Sequence, residues 1–156
     1  MKIGIFGGTF DPIHWGHLRS AEEVGEAYQL DRVYFIPASM PPHKSGQTTT
    51  PARDRLQMVR LAVARNPRFA VSTVELDRPG LSYSIDTIRE FAGRLTKRDA
   101  LYFIIGLDAF IEIGTWHDFK EIFTLCNFIV TSRPGSKEND PLKGAGDRSF
   151  NIVVEA

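Results

Sequence analysis

Two histidines three residues apart, His14 and His17, follow a glycine pair in the run Gly7-Gly8-Thr9-Phe10-Asp11-Pro12-Ile13-His14-Trp15-Gly16-His17. Paired glycines behind a short apolar run let the backbone approach a ligand closely, and a helix that starts just beyond attracts anions. Residues at i and i+3 share a helix face, so both imidazoles can reach one ligand. Placed there, they can donate hydrogen bonds to phosphate oxygens as charge builds in a phosphoryl transition state. The run is neither of the common phosphate loops, having no G-x-x-x-x-G-K-S/T and no complete G-x-G-x-x-G. A metal pair is the competing chemistry. The other histidines are His43 and His117, and Cys126 is remote in sequence, so no metal is assigned. A serine or cysteine nucleophile finds no G-x-S-x-G and no placed base.

Such a loop needs elements to hold it. Ile3-Gly4-Ile5-Phe6 reads as a buried strand feeding the glycine turn, and Leu18, Ala21, Gly25 and Tyr28 mark a helix from Trp15 to Tyr28. Arg32 to Ile36 is the next strand, stopped by Pro37, and the proline-rich segment 37–51 reads as a long loop. Leu56, Val59 and Val63 mark a helix over 52–65, and Phe69-Ala70-Val71 a short strand. Ile85, Ile88, Ala92 and Leu95 predict another helix, with Ser84 placed to cap it. Ala100 to Ile105 is the most apolar strand, and a broken helical stretch follows from Asp108 to Phe123. Asn127–Thr131 and Phe150–Val154 read as two further strands around a polar loop at 134–148. Apolar strands alternating with helices predict an α/β fold, a doubly wound parallel sheet in one domain over residues 1–156. Ligands of such sheets lie beyond the carboxyl ends of the strands, which singles out loops 7–14, 37–51, 106–108 and 132–135.

Composition agrees with a globular domain. Apolar residues make up 42% and charged residues 24%, against a disordered, fibrous or membrane chain. Lys plus Arg and Asp plus Glu are each 19, and a net charge of zero gives no support for gripping long nucleic acid. Arg53, Arg55, Arg60, Arg65 and Arg68 form a basic cluster, read first as a solvated helix face and alternatively as local attraction for a polyphosphate. The lone Cys126 fits a reducing compartment. The glycines and Asp11 come too early for a signal peptide, and no stretch approaches the ~18 apolar residues of a membrane span. These readings predict a cytoplasmic protein.

The string GGTFDPIHWGH closely resembles the G-x-F-D-P-x-H-x-G-H signature of the nucleotidylyltransferase superfamily, whose fold is Rossmann-like. The resemblance continues through Pro41-Pro42-His43-Lys44, Ser82-Tyr83-Ser84-Ile85-Asp86-Thr87, Ile105-Gly106-Leu107-Asp108, Trp116 and Ser132-Arg133-Pro134-Gly135. In that order these blocks are similar to the bacterial nicotinate-nucleotide adenylyltransferases. The resemblance implies transfer of AMP from Mg-ATP to nicotinate mononucleotide, giving deamido-NAD and pyrophosphate, with Mg²⁺ arriving on ATP. It implies that Gly7, Gly8, Thr9, Phe10, Lys44, Gly106, Asp108 and Arg133 bind ATP, and that His14 and His17 are catalytic. Ser84, standing where the family usually has threonine, would lie beside the nicotinate carboxylate. Trp116 would stack on the pyridine ring, His117 would help hold the carboxylate, and Ser39 falls in the same acceptor site. Ala38 and Ser39 occupy positions where a commoner pattern has asparagines.

The implied partners are small nucleotides, with neither nucleic acid nor membrane, and a homo-oligomer is compatible with the reading. Two alternatives stay open: a phosphopantetheine adenylyltransferase and a catalytically inactive nucleotide-binding domain. The second arises because the family's I-S-S-T-x-x-R motif does not follow Arg133, and the expectation is that the functional protein continues beyond Ala156.

Overall fold

A computed structural model describes residues 1–39 and 49–131, together with the backbone of 152–155. In chain order the elements are β1 (Lys2–Gly8), α1 (Trp15–Ala27), β2 (Arg32–Pro37), α2 (Ala52–Val63), β3 (Phe69–Val71), α3 (Val74–Asp77) and α4 (Ser84–Gly93). They continue with β4 (Ala100–Gly106), α5 (Leu107–Ile111), a 3₁₀ turn at Ile113–Thr115, α6 (Phe119–Leu125), β5 (Asn127–Thr131) and β6 (Ile152–Glu155). The strands pair in parallel in the order β3-β2-β1-β4-β5-β6. This is the doubly wound order whose direction of winding reverses between β1 and β4.

Alternation along the strands explains the two layers of helices. Ile3, Ile5, Phe103, Ile105, Phe128 and Val130 face one side of the sheet, where Ile85, Ile88 and Phe91 of α4 and Ile122 of α6 pack on them. Phe6, Val33, Phe35, Ile104 and Ile129 face the other, against Ala21 and Val24 of α1 and Val59 and Val63 of α2. A period of two along each strand thus builds two separate cores. Gly4 belongs to the second face, and a Cβ there would lie 2.8 Å from Leu30 Cδ1.

The register aligns the carboxyl ends that matter. Gly8 pairs with Pro37, Phe6 with Ile104, and Gly106 with Thr131. The loops leaving β1, β2 and β4 therefore open on one edge of the sheet, beside the reversal point.

Several sequence expectations need correcting. Ser84 is the first residue of α4, while Tyr83 occupies the cap and supplies no side-chain hydrogen bond. The backbone enters the helix one residue earlier than the serine-cap pattern implies. Pro37 closes β2 rather than opening a loop, and the last strand, Ile152–Glu155, runs one residue past the expected end at Val154, while Phe150 and Asn151 lie outside the described residues. The four-residue α3 was not foreseen, being too short to show a helical period.

Candidate nucleotide site at the winding reversal

The glycine loop is built around a buried phenylalanine. Phe10 has φ 49, in the left-handed region, yet only 3% of its surface is exposed. Its ring meets Phe6 edge-on at 5.6 Å and His17 at 5.1 Å. The aromatic contacts hold the loop in a conformation that a non-glycine residue adopts only at a cost. Phe10 therefore presents backbone, not its ring, to the strand edge. Above Gly7 a Cβ would meet only the Ile36 carbonyl, at 3.9 Å, and above Gly106 nothing within 4 Å. Among the described residues, nothing else crowds either position.

His14 and His17 cap α1 reciprocally. His14 is the N-cap, with φ −144 and ψ 177, and its Nδ1 accepts the Gly16 N–H at 3.0 Å. His17 Nδ1 accepts the His14 N–H at 3.1 Å. This is the geometry of a capping box, with imidazoles replacing the usual hydroxyl and carboxylate. The rings stack at 3.9 Å between centroids, 28° apart. A ring nitrogen that accepts a backbone N–H carries no proton, so in the neutral form Nε2 of each ring is the N–H donor. Sequence spacing alone leaves that tautomer open. Here the cap assigns it, and the two Nε2 donors sit at the start of a 13-residue helix whose positive end favours anions.

The second wall of the strand edge comes from β2, β4 and the elements after them. The Ser39 N–H donates to Ser82 Oγ at 3.1 Å, which brings Ser39 beside the Ser82-Tyr83-Ser84 entry into α4. The Tyr83 ring lies 4.8 Å from that of His117. Trp116 is half-buried, with the Phe103 ring edge-on at 5.9 Å. Arg89 on α4 donates to both carboxylate oxygens of Glu121 and lies 3.5 Å from Asp118 and 3.6 Å from Asp86, tying α4 to the 116–121 turn. Asp108 is exposed in the first turn of α5, at the end of β4. Lys44 and Arg133 lie outside the described residues.

Two buried groups escaped the sequence reading. Arg55 is 1% exposed, and its guanidinium donates to the carbonyls of Thr50 (2.8 Å), Thr9 (2.8 Å), Ala38 (2.7 Å) and Ser39 (3.4 Å). It is thus neither a solvated helix face nor a charge offered to a polyphosphate, although Arg53, Arg60 and Arg65 are exposed. Burial lowers its proton affinity, and the nearby Asp11 carboxylate acts in the opposite sense. Arg55 precedes Val59 and Val63 by four and eight residues, so it stands on the apolar stripe of α2, a signal present in the sequence. Glu75 on α3 is also buried, accepting from Thr87 Oγ1 at 2.7 Å. Burial pushes its carboxyl above the usual range, against hydrogen bonds from Thr87 and Ser82 and the charge of Arg78. Among the described residues, no group of three or more His, Cys, Asp or Glu is placed to hold a metal ion, and no helix is long and apolar enough to cross a membrane.

Residues 5–154 match the family described as Cytidylyltransferase-like. The chain belongs to that family. Within it, the chain is 54% identical over 142 residues to a probable nicotinate-nucleotide adenylyltransferase of Pelobacter propionicus, covering 91% of this chain and 65% of that protein. A Geobacter sulfurreducens relative of the same description is 52% identical over 146 residues, with the same coverage. A Solibacter usitatus relative is 49% identical over 99% of this chain and 81% of its own length. The chain thus spans just under two thirds of the first two relatives. A Plasmodium falciparum nicotinic acid mononucleotide adenylyltransferase, solved in complex with NaAD, shares the fold at TM-score 0.77 and 16% identity. That likeness covers 99% of this chain and 75% of that one. The fold is therefore the α/β doubly wound parallel sheet that the strand and helix pattern predicts, and the Rossmann-like one that the resemblance implies.

Proposed function

We propose that the protein is a nicotinate-nucleotide adenylyltransferase, transferring AMP from Mg-ATP to nicotinate mononucleotide and releasing pyrophosphate. The observation that carries the reading is the histidine capping box. It leaves Nε2 of both rings as the N–H nitrogen at a helix start that follows the glycine loop beside the winding reversal. The relatives, probable nicotinate-nucleotide adenylyltransferases at about half identity, supply the substrate class.

In this reading the acceptor phosphate, already an anion, attacks the α-phosphorus of ATP in line. One P–O bond forms, the bond to the β-phosphate bridge breaks, and pyrophosphate leaves with its electron pair. No strong general base is required. His14 and His17 donate from Nε2 to the phosphate oxygens as charge develops, and Gly7, Gly8 and Thr9 offer close backbone. The protein contributes alignment and electrostatic stabilisation. Enzymes that use ATP generally require a divalent cation carried largely by the phosphates, and Mg²⁺ enters as part of the Mg-ATP substrate. Gly106, Asp108, Lys44 and Arg133 complete the nucleotide side.

Ser84 places a hydroxyl and a helix-start N–H where a nicotinate carboxylate can be held. Trp116, steadied by Phe103, provides a ring for stacking, and His117 and Ser39 complete the acceptor side. Zero net charge and a lone thiol support a cytoplasmic enzyme acting on small nucleotides.

The test is pyrophosphate release by the full-length protein from Mg-ATP with nicotinate mononucleotide, nicotinamide mononucleotide and phosphopantetheine in parallel. Turnover highest with nicotinate mononucleotide is expected. Turnover only with phosphopantetheine overturns the acceptor, and ATP binding without turnover overturns the enzyme.

A further inference from the structure

Arg55 joins segments that the reaction must keep in register. Its four carbonyl partners come from the glycine loop (Thr9), the end of β2 (Ala38 and Ser39) and the approach to α2 (Thr50). Other bonds knit the same junction. The Ala38 N–H donates to the Gly8 carbonyl at 2.9 Å, and the Thr50 N–H donates to Asp11 Oδ2 at 2.9 Å. Ser39 in turn holds Ser82, two residues before Ser84. One guanidinium therefore spans the loop that carries the histidines and the strand end that leads to the acceptor side.

Burying a cation among neutral carbonyls is a poor way to gain stability. Desolvation offsets most of the attraction, and an apolar side chain of similar volume often packs as well or better. What a planar fork supplies is geometry, because its donors fix several acceptors at set angles and distances. Misplacement of reacting groups by about 1 Å can cost ~100-fold in rate.

We infer that Arg55 is a positioning residue that aligns the glycine loop with the acceptor-side strand end, and so sets the attack distance between the two bound substrates. The inference rests on the adenylyl-transfer reading. It goes beyond that reading by assigning the alignment to a side chain that touches neither substrate.

Arg55→Lys keeps the charge but concentrates its donors on one nitrogen, so it cannot span all four carbonyls. Arg55→Gln keeps a planar group without charge or reach and serves as a second variant. Both are assayed in the full-length protein, with whichever acceptor the parent enzyme turns over best, and rates are expressed per folded molecule. For Arg55→Lys, kcat should fall about 10- to 100-fold, while KM for ATP and for the acceptor each stay within about threefold. Amide hydrogen exchange reads the same alignment without turnover. The N–H groups of Ala38, Ser39 and Thr50 should exchange about tenfold faster, while those of Ile5 and Phe103 in the sheet are unchanged.

A kcat per folded molecule within about twofold of the parent, or a loss carried by KM alone, overturns the inference. So does unaltered exchange at the three junction amides. A parent enzyme that prefers another acceptor defeats only the substrate assignment, since the Arg55 comparison then proceeds with that acceptor. A parent without any turnover defeats the enzymatic reading, and the exchange measurement alone then decides whether Arg55 holds the junction.

Discussion

His17 serves the helix through one nitrogen and, in the proposed reaction, ATP through the other. Nδ1 accepts the His14 N–H, while the ring lies against Phe10 on one side and His14 on the other. His17→Ala should lower kcat by ~100-fold or more, the scale of losing one preorganised donor. The lost cap should cost only ~1 kcal/mol of stability. Steady-state kinetics beside urea unfolding separate the two effects, and near-parent turnover in a folded variant would remove His17 from catalysis. Cys126 makes a contrasting case. Burial pushes its thiol up to about 12, so at pH 8 a thiol reagent should label the native protein at least ~100-fold more slowly than the unfolded chain. Equal labelling rates would show that the site opens readily. The histidines were legible because their spacing and the glycines before them are local properties. For Arg55 only its place on the apolar stripe of α2 was legible; its partners Thr9 and Ala38, 46 and 17 residues away in sequence, were not, and a charged side chain reads by default as solvated.

At the scale of elements, legibility followed the strength of periodicity. β1, β2 and β4 showed as apolar runs, and α1, α2 and α4 as helical stripes. The boundary at Ser84 shifted because a serine before an apolar stripe signals a cap only when its backbone is still extended, and here Tyr83 is the extended residue. The tie between α4 and α6 through Arg89, Asp118 and Glu121 joins residues about thirty apart, beyond any local pattern. Gly4 shows how tightly β1 is held. A Cβ there would meet Leu30 at 2.8 Å, Ile104 at 3.3 Å and Val33 at 3.5 Å, all three on buried side chains. Gly4→Ala should therefore destabilise the protein by ~1–3 kcal/mol through overpacking, measured as a lower midpoint in urea. An unchanged midpoint would mean that the packing around Leu30 yields at little cost.

For the molecule as a whole, Glu75 and Asp99 link stability to pH with opposite signs. Glu75 has its folded-state pKa raised, chiefly by burial, so its favourable contribution is complete below the ordinary carboxylate range and is lost as pH rises through the elevated value. Asp99 bonds the N-terminal ammonium at 2.7 Å and accepts from the Thr96 N–H. Those bonds, the ammonium's first, lower its pKa to about 2, so its contribution is present above the ordinary range and is lost as pH falls toward 2. Glu75→Gln should reduce the loss of stability as pH rises above the ordinary carboxylate range while leaving the acid-side decline intact. Urea titrations within and above that range decide it, and superimposable profiles for parent and variant would show that Glu75 titrates normally in the fold. The sheet order has a consequence in time. β1, made before β2 and β4, lies between them, and its pairing Lys2↔Ala100 through Phe6↔Ile104 closes across nearly a hundred residues. During synthesis, β1, α1 and β2 can assemble with the histidine cap already formed, yet one edge of β1 stays unpaired until β4 emerges. The growing chain thus carries its histidine-capped helix start well before it has the second half of the sheet. Binding of a nucleotide to that early half would help hold an exposed strand edge in register during the wait.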